Sequence, residues 1–334
     1  MPHASPRSIA VLGDGGWGTT LAIHLHRLGH RVRWWGPFPA YVDLLKRRRR
    51  NPKFLPGVPI PRGLRITADV REAVEPAALL VLAIPAQYLR SVLRRLPRPL
   101  RADTAILNVA KGLERGTSKR LSEVVSEELG RIPLAVLSGP NIAVEIARGA
   151  PASAVVASRN ARLAALVQSA FMNDHLRLYT SADVPGVELG GALKNPLAIA
   201  AGISDGLGFG ANAKAALVTR GVVEMARLGA ALGARRNTFW GLSGLGDLIT
   251  TCIAGRNHWL GEQLGRGRSL KPVLASTPMV IEGVETARAA VALAHRVSVE
   301  LPIIEQVSAI LFQGRNPRRA LQALMARSGK AESA

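Results

Sequence analysis

Six residues near the start of the chain constrain its fold more than any other feature: Gly13-Asp14-Gly15-Gly16-Trp17-Gly18 fits the pattern GxGxxG. The motif follows the apolar run Ser8-Ile9-Ala10-Val11-Leu12, and residues 19–28 then carry apolar side chains at helical spacing. Strand, tight turn and helix are expected in that order. Each glycine has a physical task. Gly13 allows the sharp turn, Gly15 lets a pyrophosphate approach the backbone, and Gly18 lets the helix pack on the strand, its N-terminus facing the phosphates. Beyond Gly29-His30, Val32-Arg33-Trp34-Trp35 reads as a second strand that closes a βαβ unit. In that setting the motif predicts a dinucleotide site rather than an ordinary glycine-rich turn.

Further apolar runs at residues 79–84, 105–109 and 134–137 each precede a turn rich in Gly or Pro and a candidate helix, and residues 154–157 and 176–179 extend the series. Fully apolar strands alternating with helices predict a parallel sheet covered on both faces, the doubly wound α/β class. The basic run at residues 46–50 is placed on a helix face ending at Asn51-Pro52. From Ser181 onward helical spacing with Ala, Leu, Gly and Met dominates. The expected division is a Rossmann-type dinucleotide-binding domain over 1–180 and an all-helical substrate-binding and catalytic domain over 181–334.

A chain of 334 residues, 48% hydrophobic, can bury two ordinary cores, which excludes a largely disordered protein. Cys252 stands alone, cannot form an intramolecular disulfide, and reads as a buried small apolar residue. Residues 1–7 lack the apolar core of a signal peptide, and the longest apolar run, residues 77–86 with Pro85 inside it, falls short of the ~20 residues a membrane span needs. A cytoplasmic protein without an integral membrane segment is expected.

The net charge of +21 first suggests an anionic polymer as partner. Its distribution argues otherwise: residues 181–230, the stretch richest in motifs, carry four basic and four acidic groups. Of the 44 basic residues only eight are lysines, so a lysine in a chemically suggestive place carries information. Two such places are the turns Asn108-Val109-Ala110-Lys111-Gly112-Leu113-Glu114 and Ser138-Gly139-Pro140-Asn141, which follow predicted strands where doubly wound folds place ligands. Glycines at ~1 kcal/mol each relative to Ala are costly in helices, so the glycine-rich stretches 187–196 and 204–212 imply close approach by a ligand or another helix. The Arg256-Asn257 pair suits an oxyanion such as phosphate. No histidine or cysteine spacing suits a metal; His24 and His26, two apart, face different sides of a helix. The region after the second strand, Trp35-Gly36-Pro37-Phe38-Pro39, has no acid to hold a ribose 2′-hydroxyl, which favours NADP(H) over NAD(H) with either admissible.

Together these phrases resemble bacterial NAD(P)-dependent glycerol-3-phosphate dehydrogenases over essentially the whole chain. The matching segments are GDGGWGT (13–19), NPKFLPGVPIP (51–61), AKGLE (110–114), SGPN (138–141), GVELGGALKN (186–195), SDGLGFGANAKAALVTRG (204–221), GLGDLITTC (244–252), GRN (255–257) and VIEG (280–283). The resemblance implies reduction of dihydroxyacetone phosphate to sn-glycerol 3-phosphate, a head-group precursor of phospholipids, by a homodimer. It places the proton donor and acceptor at Lys194, with Lys111 and Asp247 beside it. It places substrate contacts at Lys111, Gly139, Asn141, Lys194, Asp247, Gly255, Arg256 and Asn257, and cofactor contacts at Gly13, Gly15, Gly16, Trp17, Gly18, Lys111, Ala143, Arg256, Val280 and Glu282. The residue types fit: burial and a neighbouring cation can move a lysine pKa toward neutrality, whereas arginine stays charged. The sequence departs from the family pattern at Pro37 (Arg or His in the family), Asn141 (Ser or Thr), Pro196 (a β-branched residue) and Gly255 (Ser). Two other readings compete, a related dehydrogenase of another hydroxy compound and a non-catalytic basic protein binding nucleotides or nucleic acid. Against the latter, the Trp and Tyr residues do not interleave with the arginines as a stacking platform would, and no nucleic-acid partner is expected.

Overall fold

The computed structural model describes residues 7–329 and 331–332; residues 1–6, most of the N-terminal segment weighed above, and Lys330 lie outside them. The strands are β1 (Ser8–Leu12), β2 (Arg31–Trp35), β3 (Arg50–Asn51), β4 (Leu55–Pro59), β5 (Arg65–Thr67), β6 (Leu79–Leu82), β7 (Ala105–Asn108), β8 (Leu134–Ser138), β9 (Ala152–Ala157) and β10 (Leu176–Ser181). Among and after them run α1 (Gly16–Arg27), α2 (Pro39–Arg48), α3 (Val70–Val74), α4 (Ala86–Leu93), α5 (Leu121–Leu129), α6 (Ala143–Ala147) and α7 (Ala161–Phe171). Beyond β10 come only helices among the described residues: α8 (Val184–Gly206), α9 (Ala211–Ala231), α10 (Asp247–Ile253), α11 (Arg256–Gly265), α12 (Leu270–Ala275), α13 (Glu282–Arg296), α14 (Pro302–Gln313) and α15 (Pro317–Met325). None is long and apolar enough to cross a membrane.

Eight strands form one sheet in the order β10-β9-β8-β7-β6-β1-β2-β5. After β1, β2 and the edge strand β5 the chain crosses to the other side of β1 to form β6, so the strand order reverses between β1 and β6, where the ends of adjacent strands open a crevice. The buried indoles fix this edge: Trp34 Nε1 donates to the Gly13 carbonyl at 2.9 Å and Trp35 Nε1 to the Ala68 carbonyl at 3.0 Å.

Two expectations need correction. The sheet is not parallel throughout, since β9 pairs antiparallel with β8 and carries β10 with it in the reversed direction. The intervening α6 has five residues and rises only about 7.5 Å, well short of the length of a strand, so the chain re-enters the sheet from the end it left. The basic run is not all helix. Arg49 adopts a left-handed conformation (φ 46°) that ends α2, and Arg50-Asn51 form β3 against β4 because Pro52 restricts Asn51 to extended backbone.

The 23-residue α8 is the axis of the helical part and is buried along most of its length. It crosses α11 through glycines on both helices: a Cβ at Gly202 would stand 2.0 Å from the His258 carbonyl oxygen, and one at Gly261 would stand 2.0 Å from that of Ile199. Of the glycine-rich stretches 187–196 and 204–212, Gly206 meets α11 in the same way, a Cβ there standing 2.4 Å from the Glu262 carbonyl oxygen, and at Gly190 one would stand 2.7 Å from that of Ser243, whereas at Gly208 and Gly210 it would meet nothing within 4 Å.

Candidate functional site

The glycine turn is built as its sequence demands. Gly13 has φ +119°, and a Cβ there would lie 2.3 Å from the Ala83 carbonyl oxygen beyond β6. At Gly18 a Cβ would strike the Gly13 carbonyl oxygen at 2.1 Å, whereas at Gly15, the residue that caps α1, it would meet nothing within 4 Å. No side chain caps α1 and no acid lies in its first turn, so a helix N-terminus of 12 residues points its partial positive charge at this open side. The turn is propped from outside by Asn51, whose Nδ2 donates to the Asp14 carbonyl at 2.8 Å and to Thr19 Oγ1 at 2.7 Å. A Cβ at Gly16 would stand 3.8 Å from Ala143 Cβ, so α6 flanks the same turn. The buried Nε1 of Trp17 has no partner. An open, uncapped helix N-terminus with an unpartnered donor beside it fits a dinucleotide pyrophosphate.

Next along the carboxyl edge of the sheet, the turns after β7 and β8 bring together residues far apart in sequence. Lys111 Nζ donates to the Gly139 carbonyl at 2.7 Å and to Asp247 Oδ2 at 2.6 Å. Lys194 Nζ donates to the other oxygen, Asp247 Oδ1, at 3.0 Å and to Thr251 Oγ1 at 2.5 Å. One carboxylate thus spans both lysines, and each ammonium keeps one N–H for a ligand. The Lys194 side chain is 8% exposed and that of Asp247 3%. Burial lowers the Lys194 ammonium to about 8; Asp247 opposes that shift and the Lys111 cation adds to it. The approach of α8 to this turn depends on Gly191, where a Cβ would lie 2.5 Å from Ser138 Oγ. Ser138 Oγ and both polar atoms of the Asn141 amide are buried here without partners.

A third group closes the site from the helical part. Glu282, at the start of α13, accepts from the Ala86 backbone N–H at 3.0 Å, and its Oε2 is buried and unpartnered. Burial pushes its carboxyl up to about 7, against the lowering effects of the Ala86 N–H and the Arg256 charge. Asn257 accepts from the Gly283 N–H at 3.0 Å and donates to Asn195 Oδ1 at 2.9 Å, tying α8, α11 and α13 together and leaving one amide N–H for a ligand. Arg256 heads α11 exposed to solvent, Gly255 (φ +117°) precedes it, and Val280 lies on the segment leading to α13.

Of the residues singled out in the sequence, Lys111, Gly139, Asp247 and Lys194 form one hydrogen-bonded unit. Residues Gly13 to Gly18 and Ala143 form the adjoining turn. Thr251 and Asn51 were missed as site-building residues. Thr251 lies four residues after Asp247, on the same helix face, and that spacing was the available signal.

Comparisons with known proteins point to one family. The family described as NAD-dependent glycerol-3-phosphate dehydrogenase matches in two parts, its N-terminus over residues 8–164 and its C-terminus over residues 183–322. A glycerol-3-phosphate dehydrogenase (NAD(P)+) of Geobacillus thermodenitrificans is 48% identical over 330 residues, covering 97% of this chain and 96% of its own length. One of Desulfitobacterium hafniense is 47% identical over 326 residues, covering 97% and 92% respectively. The crystal structure of glycerol-3-phosphate dehydrogenase from Coxiella burnetii superposes with a TM-score of 0.93 at 38% identity, over 96% of this chain and 99% of that one.

Proposed function

The chain belongs to the NAD-dependent glycerol-3-phosphate dehydrogenase family, and from that premise we propose how its residues interconvert dihydroxyacetone phosphate and sn-glycerol 3-phosphate with NAD(P). Residues 1–180 hold the dinucleotide along Gly13 to Gly18, Lys111 and Ala143, and residues 181–334 add Arg256, Val280 and Glu282 to that site, supply the acid–base group and close over the substrate. When bound, the nicotinamide donates the hydride to the ketone carbon or accepts it from the secondary alcohol.

The observation that carries this reading is the Asp247-bridged lysine pair at the carboxyl edge of the sheet. As hydride reaches the ketone, negative charge develops on its oxygen. Lys194 donates a proton to that oxygen through its remaining N–H and becomes the neutral amine; in the reverse direction the amine takes the proton from the alcohol. The Lys111 head group lies against the same oxygen and polarises the carbonyl through its remaining N–H. Asp247 holds both ammonium groups in place, and Thr251 fixes the direction of the Lys194 head. Arg256, the free N–H of Asn257 and the Gly255 backbone are the donors for the substrate phosphate, and Asn141, with both polar atoms unpartnered, faces the substrate hydroxyls.

Mixing the pure protein with dihydroxyacetone phosphate and following the absorbance of NADH and NADPH in parallel tests the activity; no oxidation of either would refute it. Lys194→Arg keeps the charge but cannot yield a proton near neutrality, so turnover should fall by about 10³-fold or more while dinucleotide binding is retained. Near-normal turnover in that variant would remove Lys194 from its role. The family resemblance further supports a cytoplasmic homodimer whose product feeds glycerophospholipid synthesis, and a sedimentation measurement returning a monomer would remove the dimer.

A further inference from the structure

The end of β2 lacks the acid that would hold an adenosine ribose, yet an acid reaches that place from another element. Asp14, the first variable residue of the glycine turn, is 8% exposed, and its Oδ2 is buried without a hydrogen-bond partner. It lies against the residue that follows β2: a Cβ on Gly36 would stand 2.8 Å from Asp14 Oδ2. Gly36 leaves room for the carboxylate, and Pro37 beyond it offers neither a charge nor an N–H.

The backbone under Asp14 is fixed. Its carbonyl accepts from Asn51 Nδ2 at 2.8 Å, and the carbonyl of Gly13 accepts from Trp34 Nε1 at 2.9 Å. In a doubly wound fold the adenosine ribose lies just past the end of the second strand, where an acid binds the 2′-hydroxyl and a cation accommodates a 2′-phosphate.

We propose that Asp14 is the residue that selects NAD(H) over NADP(H), its carboxylate accepting the ribose 2′-hydroxyl and repelling a 2′-phosphate at the same position. The proposal rests on the glycine turn being the dinucleotide site and reverses the NADP(H) preference drawn from residues 35–39. A buried carboxylate with an unused acceptor gains from a hydroxyl donor and tolerates a second anion poorly. Burial raises the Asp14 carboxyl above its ordinary range, with Lys53 drawing it back down. Lys53 is the cation that bears on Asp14, and its ammonium sits 4.9 Å over the Phe54 ring.

Calorimetric titration of the purified protein with NAD+ and with NADP+, without substrate, reads the selection directly. NAD+ should bind at least about tenfold more tightly, and in Asp14→Asn, nearly the same shape without the charge, the ratio should shrink by about tenfold. Equal affinities in the unaltered protein, or an unchanged ratio in a variant whose melting temperature shows it folded, would overturn the assignment to Asp14 alone. Failure of both nucleotides to bind would overturn the dinucleotide reading and this proposal with it. Should Asp14→Asn not fold, the affinity ratio of the unaltered protein still decides.

Discussion

Asp247 governs two cations at once, and the pH behaviour of the site follows from that. Burial lowers the Lys194 ammonium to about 8, Asp247 raises it and Lys111 lowers it further. With Lys194 in the acid–base role proposed above, ketone reduction needs its ammonium, so kcat/KM should fall as pH rises through about 8; alcohol oxidation needs the free amine and should fall as pH drops through the same value. Replacing Asp247 by Asn removes a group that raises the pKa and should move both profiles to lower pH. Lys111→Met removes a cation that lowers it and should move them to higher pH. Two profiles that lose activity on the same side, or that shift together in the two variants, would show that another group titrates. Both lysines stood out in the sequence as residues able to titrate in a chain dominated by arginine. The resemblance puts Asp247 beside them; that its two oxygens each take one ammonium, from 136 and 53 residues away, was not visible there.

The crossing of α8 and α11 is a backbone-to-backbone contact, and its glycines serve it against their own helix propensity. Gly261→Ala would improve propensity by ~1 kcal/mol in isolation. Here the new Cβ would sit 2.0 Å from the Ile199 carbonyl oxygen, with the Ile203 nitrogen at 2.8 Å. Over-packing of that kind costs about 1–3 kcal/mol, so calorimetry should show a lower Tm. Because α11 carries Asn257, which holds Asn195 next to Lys194, turnover should fall as well. A Tm equal to or above that of the unaltered protein would mean the helices are free to separate. Pro196 lies inside α8 without ending it; it removes the N–H that would serve the Ala192 carbonyl, and nothing in the structure explains why proline stands there.

At the scale of the molecule, the lysine pair exists only because the helical part is seated on the sheet, and a buried ionic contact fixes that seating. Glu188 of α8 accepts from the Ser122 N–H at 2.8 Å, from Ser122 Oγ at 2.5 Å and from Arg120 Nη1 at 3.0 Å at the start of α5. Burial raises its carboxyl, and the Arg120 charge opposes that rise. Glu188→Ala should lower stability to urea by about 3 kcal/mol, with Glu188→Gln, which keeps the shape and one acceptor oxygen, costing less; equal costs would show that the carboxylate's remaining acceptor is not what matters. Acidic clusters elsewhere draw on the arginine excess, as where Arg90 is shared among Glu114, Glu127 and Glu128. The sequence by itself determined the seven longer apolar strands of the main sheet, the change to helices after residue 181 and the tight turn at Gly13, because apolar period and glycine sterics are local properties. It did not determine the short β3, β4 and β5, whose Pro- and Gly-interrupted segments carry no period, nor the reversal of β9, since an apolar strand reads alike in either direction. The bridging of Lys111 and Lys194 by Asp247, and the placing of Asp14 beside Gly36, were decided by the tertiary structure alone. Contacts between residues distant in the chain leave no mark on the pattern of either segment.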